Sequence, residues 1–174
     1  MIVESKGIQI GEYFIPPFEL RDGELIVICL YGGAHFDALK TELVDILTGK
    51  KRNANVNIFR PMTFVEHFKE STLRRLFYPV TVGEYLNRNA NSNSNFATKI
   101  YDIDWISKGT KVNTLAGNPR RQLSLYSTLS KTTDIVFDLV GQDPQGAWET
   151  YQMVKDTVRN GGSAIFIDWT DEMK

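Results

Sequence analysis

Six consecutive apolar residues, LIVICL at 25–30, constrain the fold of this chain more than any other stretch. A continuous apolar run of this length is typical of a strand buried on both faces of a parallel sheet. Gly32 and Gly33 follow, and ALKTELVDIL then places apolar residues at helical spacing until Gly49. This order of strand, glycine loop and helix predicts an α/β fold built around a parallel sheet.

Two later apolar runs, at 134–140 and 163–169, predict two more buried strands. Helical patterns precede them, at 119–130 and at 145–160. Because strands and helices alternate, the strands are expected to be parallel and joined by crossover helices. The predicted buried face of the last helix consists of Trp148, Tyr151, Val154 and Val158.

The remaining segments carry weaker patterns. Residues 1–24 predict a short antiparallel hairpin that ends in a turn at Asp22-Gly23. A short strand is expected at 55–59, and FVEHFKESTLRRLF at 64–77 is compatible with a helix. The polar stretch at 87–95 has nothing to bury and predicts a loop.

Composition narrows the class of protein. Twenty basic residues stand against 21 acidic ones, a net charge of -1 in 174 residues, which argues against a nucleic-acid surface built on bulk charge. The single cysteine, Cys29, is expected to be a buried core residue without a disulfide. The sequence shows no secretion signal and no apolar stretch long enough for a membrane helix, so a cytoplasmic location is expected.

Four segments resemble the nucleotide-binding ATPase domain of ABC transporters, in the order that this family has them. They are RDGELIVICLYGG, YPVTVGEYL, TLAGNPRRQLSLYSTL and GQDPQG. The third is similar to the signature LSGGQ with its helix, and the fourth to the loop after the catalytic strand. The resemblance implies a three-layer P-loop NTPase-like α/β domain with a mainly parallel sheet and a reduced N-terminal β region. That single domain would span 1–174, with a small helical insert at roughly 68–115.

The resemblance also identifies the positions that would contact nucleotide. A phosphate-binding loop reads G-x-x-x-x-G-K-[ST], in which the lysine neutralises phosphate and the hydroxyl holds Mg²⁺. Gly33, Lys40 and Thr41 fall at this loop, which implies ATP and Mg²⁺ as cofactors. However, Leu39 stands where the second glycine is required, and Asp37 adds a negative charge. The alternative for Lys40 is an ordinary exposed helix lysine.

The hydrolytic strand of the family ends in Asp-Glu, where the Asp holds Mg²⁺ and the Glu polarises the attacking water. Asp138 takes the Asp position if the following loop is two residues shorter, and Leu139 then replaces the Glu. Without that gap the pair falls on Val136-Phe137. The catalytic carboxylate is absent in both alignments, and Asp138 is either a Mg²⁺ ligand beside Thr41 or a strand-end residue.

The signature is degenerate. In place of LSGGQ the chain has Leu115, Ala116, Gly117, Asn118 and Pro119. Ala116 replaces the serine that bonds the γ-phosphate across the family's dimer. Lys69 stands near the position of the family's glutamine, and Thr170 at that of its switch histidine.

These replacements favour a non-hydrolytic domain that acts as a structural or regulatory partner. Its expected partners are another ABC ATPase-like subunit, in a homodimer or heterodimer, and a membrane permease; no nucleic acid is expected. An active ATPase with divergent motifs is the first alternative, and a nucleotide-independent interaction module is the second. Three aromatic residues, Phe77, Tyr78 and Trp105, are expected in the core of the helical insert rather than in a partner groove.

Overall fold

The computed structural model describes residues 1–170, and it divides into two compact units. One unit contains residues 1–64, 133–138 and 153–170. The other contains residues 65–132 and 139–152. The two units are described separately below.

The first unit contains a four-stranded parallel sheet. Its strands are β5 (Leu25–Tyr31), β7 (Thr63–Phe64), β8 (Asp134–Phe137) and β9 (Ser163–Thr170), in the order β5-β9-β8-β7. All three neighbouring pairs are parallel, as the alternation of strands and helices predicts. This parallel α/β architecture confirms the predicted fold class.

Short antiparallel strands complete this unit. They are β1 (Val3–Ser5), β2 (Ile8–Ile10), β3 (Tyr13–Ile15), β4 (Phe18–Leu20) and β6 (Val56–Ile58). β2 and β3 form the expected hairpin, whereas β1 pairs with both β4 and β6. Helix α1 (Phe36–Leu47) buries one face in the core, and Gly49 ends it with a φ of 77°, a conformation that glycine adopts without strain.

The second unit is mainly helical. It contains α2 (Thr72–Phe77), α3 (Val82–Asn89), α4 (Gly117–Leu129) and two 3₁₀ segments, Asn95–Asp102 and Val112–Thr114. α2 and α3 begin at Ser71 and Thr81, whose hydroxyl oxygens accept a backbone N–H of the first turn. Helix α5 (Pro144–Arg159) starts at the Asp143-Pro144 pair.

Three local predictions were wrong. The helix expected over 64–77 forms only at Thr72–Phe77, because Thr63–Phe64 joins the sheet instead. The polar stretch at 87–95 is not all loop, since α3 continues to Asn89. Trp148 is exposed, while Val154 and Val158 on the same helix are buried.

The first strand differs most from its prediction. β5 is buried on one face only: Ile28 and Leu30 are buried, but Val27 is 48% exposed and Cys29 is also exposed. Cys29 is therefore not a core residue. The alternation arises because successive side chains of a strand point to opposite faces, and Ile28 and Leu30 share a core cluster with residues of α1.

Candidate functional site

The loop after β5 leads directly into α1, and together they carry the residues predicted to bind phosphate. The Gly33 carbonyl accepts the backbone N–H of Phe36, and His35 precedes the helix without a side-chain cap. Asp37 lies in the first turn of α1. Carboxylates at this position favour the positive end of a helix, which is also where an anionic ligand would bind.

Lys40 and Asp138 form an ion pair in this unit. The Lys40 Nζ lies 3.2 Å from the Asp138 Oδ2. Their side chains are only 13% and 1% exposed, so the exposed-lysine alternative for Lys40 is wrong. Asp138 directly follows β8, at the same carboxyl edge of the parallel sheet that carries the loop after β5. Two residues 98 positions apart are thus brought together by strand order.

An aromatic ring of the same helix lies close to Lys40. The Phe36 ring centroid is 5.4 Å from Nζ, a distance suited to a cation–π contact. Leu39 points into the core and is nearly fully buried. The residue that replaces the glycine of the phosphate-binding loop is therefore part of the hydrophobic core.

Thr41 is held by its own helix. Its hydroxyl donates to the Asp37 carbonyl at 2.7 Å, one turn earlier. The donor set that Mg²⁺ prefers consists of carboxylate, hydroxyl and water oxygens, and here the Asp138 carboxylate already accepts from an ammonium. The described residues contain no group of three acidic, histidine or cysteine side chains that could hold a metal ion. The residues as arranged therefore fit a Mg²⁺–triphosphate poorly.

The predicted signature residues lie beside the loop at 141–146 within the second unit. The Asn118 amide nitrogen donates to the Asp143 Oδ2 at 2.8 Å, and its oxygen accepts the Asp143 N–H at 3.1 Å. Asp143 also accepts the Gly146 N–H at 2.8 Å. The Gly146 and Asn118 hydrogen bonds lower the pKa of Asp143. The Asn118 side chain is therefore hydrogen-bonded to Asp143 of the same chain.

Close backbone packing explains the glycine of the signature. A Cβ added to Gly117 would lie 2.2 Å from the Gly141 carbonyl oxygen, too close for any other residue. Leu115 is buried, whereas Ala116 starts α4 without a side-chain cap. Pro119 lies in the first turn, where its missing N–H costs nothing.

Thr170 and Lys69 are the remaining two positions that the resemblance aligns with functional residues of the family. The Thr170 carbonyl accepts the Gly32 N–H at 2.9 Å, so the position aligned with the switch histidine adjoins the glycine loop. Lys69 lines a cavity of about 440 Å³ in the second unit, together with Glu70, Arg74 and Tyr85. Nothing there assigns Lys69 a contact with nucleotide.

Sequence reasoning missed two interactions. The Asn118–Asp143 pair joins residues 25 positions apart, although the Asp143-Pro144 start of α5 is itself a recognisable helix-capping signal. Asp134, at the other end of β8, accepts from the Arg60 guanidinium at 2.7 Å and from the Ser163 hydroxyl at 2.6 Å. That pair lacks a sequence signal because Arg60 lies in an irregular connection.

Comparisons with known proteins agree with this architecture. No protein-family model matches the sequence, and no curated protein matches it. Among solved structures, a metal-chelate type ABC transporter in an inward-facing conformation matches over 98% of this chain and 73% of its own chain, at 15% identity and a TM-score of 0.69. An ATP-binding subunit of an ABC transporter matches at 12% identity and a TM-score of 0.66, over 97% of this chain and 80% of that one.

A nucleotide-free ATP-binding cassette matches at 14% identity and a TM-score of 0.63, over 96% of this chain and 81% of that one. The chain therefore shares the α/β fold of the ATP-binding cassettes of ABC transporters. In residues 1–170 no helix is long and apolar enough to cross a membrane.

Proposed function

We propose that this chain is a non-hydrolytic ABC ATPase-type domain that serves as a structural or regulatory partner in an ABC transporter-like assembly. The Lys40–Asp138 ion pair carries the proposal. A phosphate-binding lysine must present its charge to the ligand, whereas this ammonium faces a carboxylate that is 1% exposed. Binding a triphosphate here would require the ligand to replace Asp138 as the partner of Lys40.

The residue after the ion pair supports the absence of hydrolysis. Leu139 directly follows Asp138, and its hydrocarbon side chain cannot polarise a water molecule. Asp37 adds a negative charge at the start of α1, where the γ-phosphate of a bound nucleotide would need positive potential. Leu139 and Asp37 together favour a domain that has lost ATP hydrolysis over one that hydrolyses a different substrate.

Exposed apolar residues support the partner role. Helix α2 buries none of its residues. Its four large apolar side chains, including the adjoining Tyr78, are between 69% and 81% exposed. Contiguous apolar surface of this kind marks an interaction site more often than a plain surface. The expectation that Phe77, Tyr78 and Trp105 lie in the core was wrong, and their exposure is better explained by a partner such as an ATPase-like subunit or a permease.

A second candidate, an active ATPase with divergent motifs, is favoured by one observation. Lys40, Thr41 and Asp138 are the residue types that a P-loop site uses, and two of them meet at the carboxyl edge of the parallel sheet. ATP with Mg²⁺ would then displace Asp138 from Lys40. This candidate requires another residue to supply the water-activating group that Leu139 lacks.

Phosphate release and nucleotide binding separate the two candidates. We expect no Mg²⁺–ATP turnover above that of Lys40→Ala, and no saturable ATP binding in calorimetry at millimolar nucleotide. Lys51→Ala is the matched control, because Lys51 forms an exposed ion pair with Glu42 of α1, the helix that also carries Lys40. Turnover that Lys40→Ala abolishes and Lys51→Ala preserves would establish the ATPase instead.

The partner role has its own test. The tagged chain and a Phe77→Asp variant would be purified from the source cells, and bound proteins identified by mass spectrometry. We expect a permease or an ATPase subunit of the ABC type with the unchanged chain, and at least a tenfold loss with Phe77→Asp. Phe59→Asp is a control of similar exposure in the other unit. Equal recovery with both variants would refute α2 as the docking helix.

A further inference from the structure

The cavity that Lys69 lines in the second unit has a volume of about 440 Å³, which is within the range of small-molecule sites. All of its lining residues lie between positions 66 and 89. Phe68, Val80 and Tyr85 supply apolar surface, and the Phe68 and Tyr85 rings pack edge to face with 5.8 Å between their centroids. The other lining residues are mostly charged, so the cavity offers an apolar wall and charged groups to the same ligand.

Two charged side chains of this cavity each have a buried atom without a hydrogen-bond partner among the described residues. The Glu70 Oε1 accepts the Val80 N–H at 2.6 Å, whereas the Glu70 Oε2 is the unpartnered atom. Arg74 pairs with Glu84 through Nη2, whereas its Nε is the unpartnered atom. Buried polar groups in proteins are nearly always hydrogen-bonded. The cavity therefore requires one donor at Glu70 and one acceptor at Arg74.

The charges around the cavity balance one another. Three lysine and arginine side chains stand against three glutamates: Lys69, Arg74 and Arg88, and Glu66, Glu70 and Glu84. Glu84 belongs to this set because it pairs with both arginines. A balanced set of charges gives no advantage to a polyanion such as a nucleotide. It favours a ligand whose own positive and negative charges are equal.

We propose that this cavity binds a free α-amino acid with an apolar side chain. The ammonium group of the amino acid donates to the Glu70 Oε2, and its carboxylate accepts from the Arg74 Nε. Its side chain contacts the apolar wall at Phe68 and Val80. Hydrogen bonds between charged groups are stronger than those between neutral groups. One zwitterion thus satisfies both buried atoms without disturbing the bonds that Glu70 and Arg74 already make.

Calorimetric titration of the full chain with each protein amino acid in turn tests the site. We expect saturable one-to-one binding, with a Kd of about 1 mM or tighter, for at least one amino acid with an apolar side chain. The matched control is the same amino acid with its amino group acetylated and its carboxyl group amidated. This compound keeps the side chain and loses both charges, so we expect at least tenfold weaker binding.

Two conservative variants test the two ends of the ligand. Glu70→Gln keeps the oxygen that accepts the Val80 N–H and removes the charge, and Arg74→Lys keeps a cation for Glu84 and removes the Nε. We expect at least tenfold weaker binding by each variant. Arg75→Lys is the matched control, because Arg75 is exposed on the same helix and does not line the cavity. Circular dichroism checks that each variant is folded; the blocked amino acid tests the same point on the unchanged chain.

Absence of saturable binding by every amino acid overturns the proposal, because water then satisfies both buried atoms. Equal affinity for the blocked compound also overturns it, since the cavity would then recognise peptide groups and not a zwitterion. Unchanged affinity in a folded Glu70→Gln or Arg74→Lys variant has the same consequence. The site uses neither Lys40 nor Asp138, so ATP turnover would refute the proposed function and leave this binding standing.

Discussion

The ammonium of Lys40 lies 3.2 Å from the carboxylate of Asp138, and both side chains are almost fully removed from solvent. The lysine belongs to the helix after β5, and the aspartate follows β8. In a nucleotide-binding site these two charges would serve a phosphate and a metal ion. In this chain they neutralise each other.

The ion pair predicts how stability responds to mutation. Lys40→Met should lower the free energy of unfolding by about 3 kcal/mol, because it removes the ammonium that lies against the buried Asp138 carboxylate. The double variant Lys40→Met/Asp138→Leu should recover most of that loss, since a buried pair can be replaced by apolar side chains at little cost. Urea unfolding followed by circular dichroism measures both. Additive losses would contradict a direct pairing of the two residues.

Gly117 provides a prediction about packing. Gly117→Ala should destabilise the chain by about 2 kcal/mol or more, because the new methyl group would overlap the Gly141 carbonyl. Gly109→Ala is the matched control, since its added Cβ would meet only the Ser107 hydroxyl at 3.9 Å. The midpoints of thermal unfolding of the two variants should therefore differ clearly. Equal midpoints would mean that the 117–141 contact does not constrain the fold.

Asp143 predicts a pH dependence. Hydrogen bonds from Gly146 and Asn118 hold the pKa of Asp143 below its ordinary value. A carboxylate whose pKa is lowered by folding stabilises the folded state above its unfolded pKa of about 3.9. That contribution is lost as the pH falls through the lowered pKa. In an NMR titration, Asn118→Ala should raise the pKa of Asp143 towards the ordinary value; an unchanged titration would exclude the Asn118 contribution.

Arg60 contacts Asp134 at the amino end of β8, the end away from Asp138, and provides a further prediction. Its guanidinium contacts the buried Asp134 and the exposed Asp22, and these carboxylates raise the pKa of Arg60. Arg60→Met should lower the free energy of unfolding by about 2 kcal/mol, less than at Lys40 because Arg60 is half exposed. Arg159→Met should have little effect, since its pair with Asp156 is exposed. Chemical denaturation of the two variants makes the comparison, and similar losses would argue against a structural role for Arg60.

The order of elements could be read from the sequence because apolar periodicity acts locally. The run at 25–30, the helix ending at Gly49 and the strand at 163–169 each carry their pattern within a dozen residues. The order of the four segments that resemble the ABC ATPase domain predicted the fold, which the structural comparisons confirm.

Contacts between distant segments could not be read in this way. No local pattern says that Lys40 faces Asp138, that Asn118 binds Asp143, or that one face of β5 remains open, because each depends on which strands become neighbours. Phe77 and Trp105 look like core residues in the sequence, since hydrophobicity does not state whether a partner or the chain itself covers them. Local hydrophobic spacing thus determined the elements and the fold class, whereas the tertiary structure decided which charges neutralise each other and which apolar side chains remain exposed.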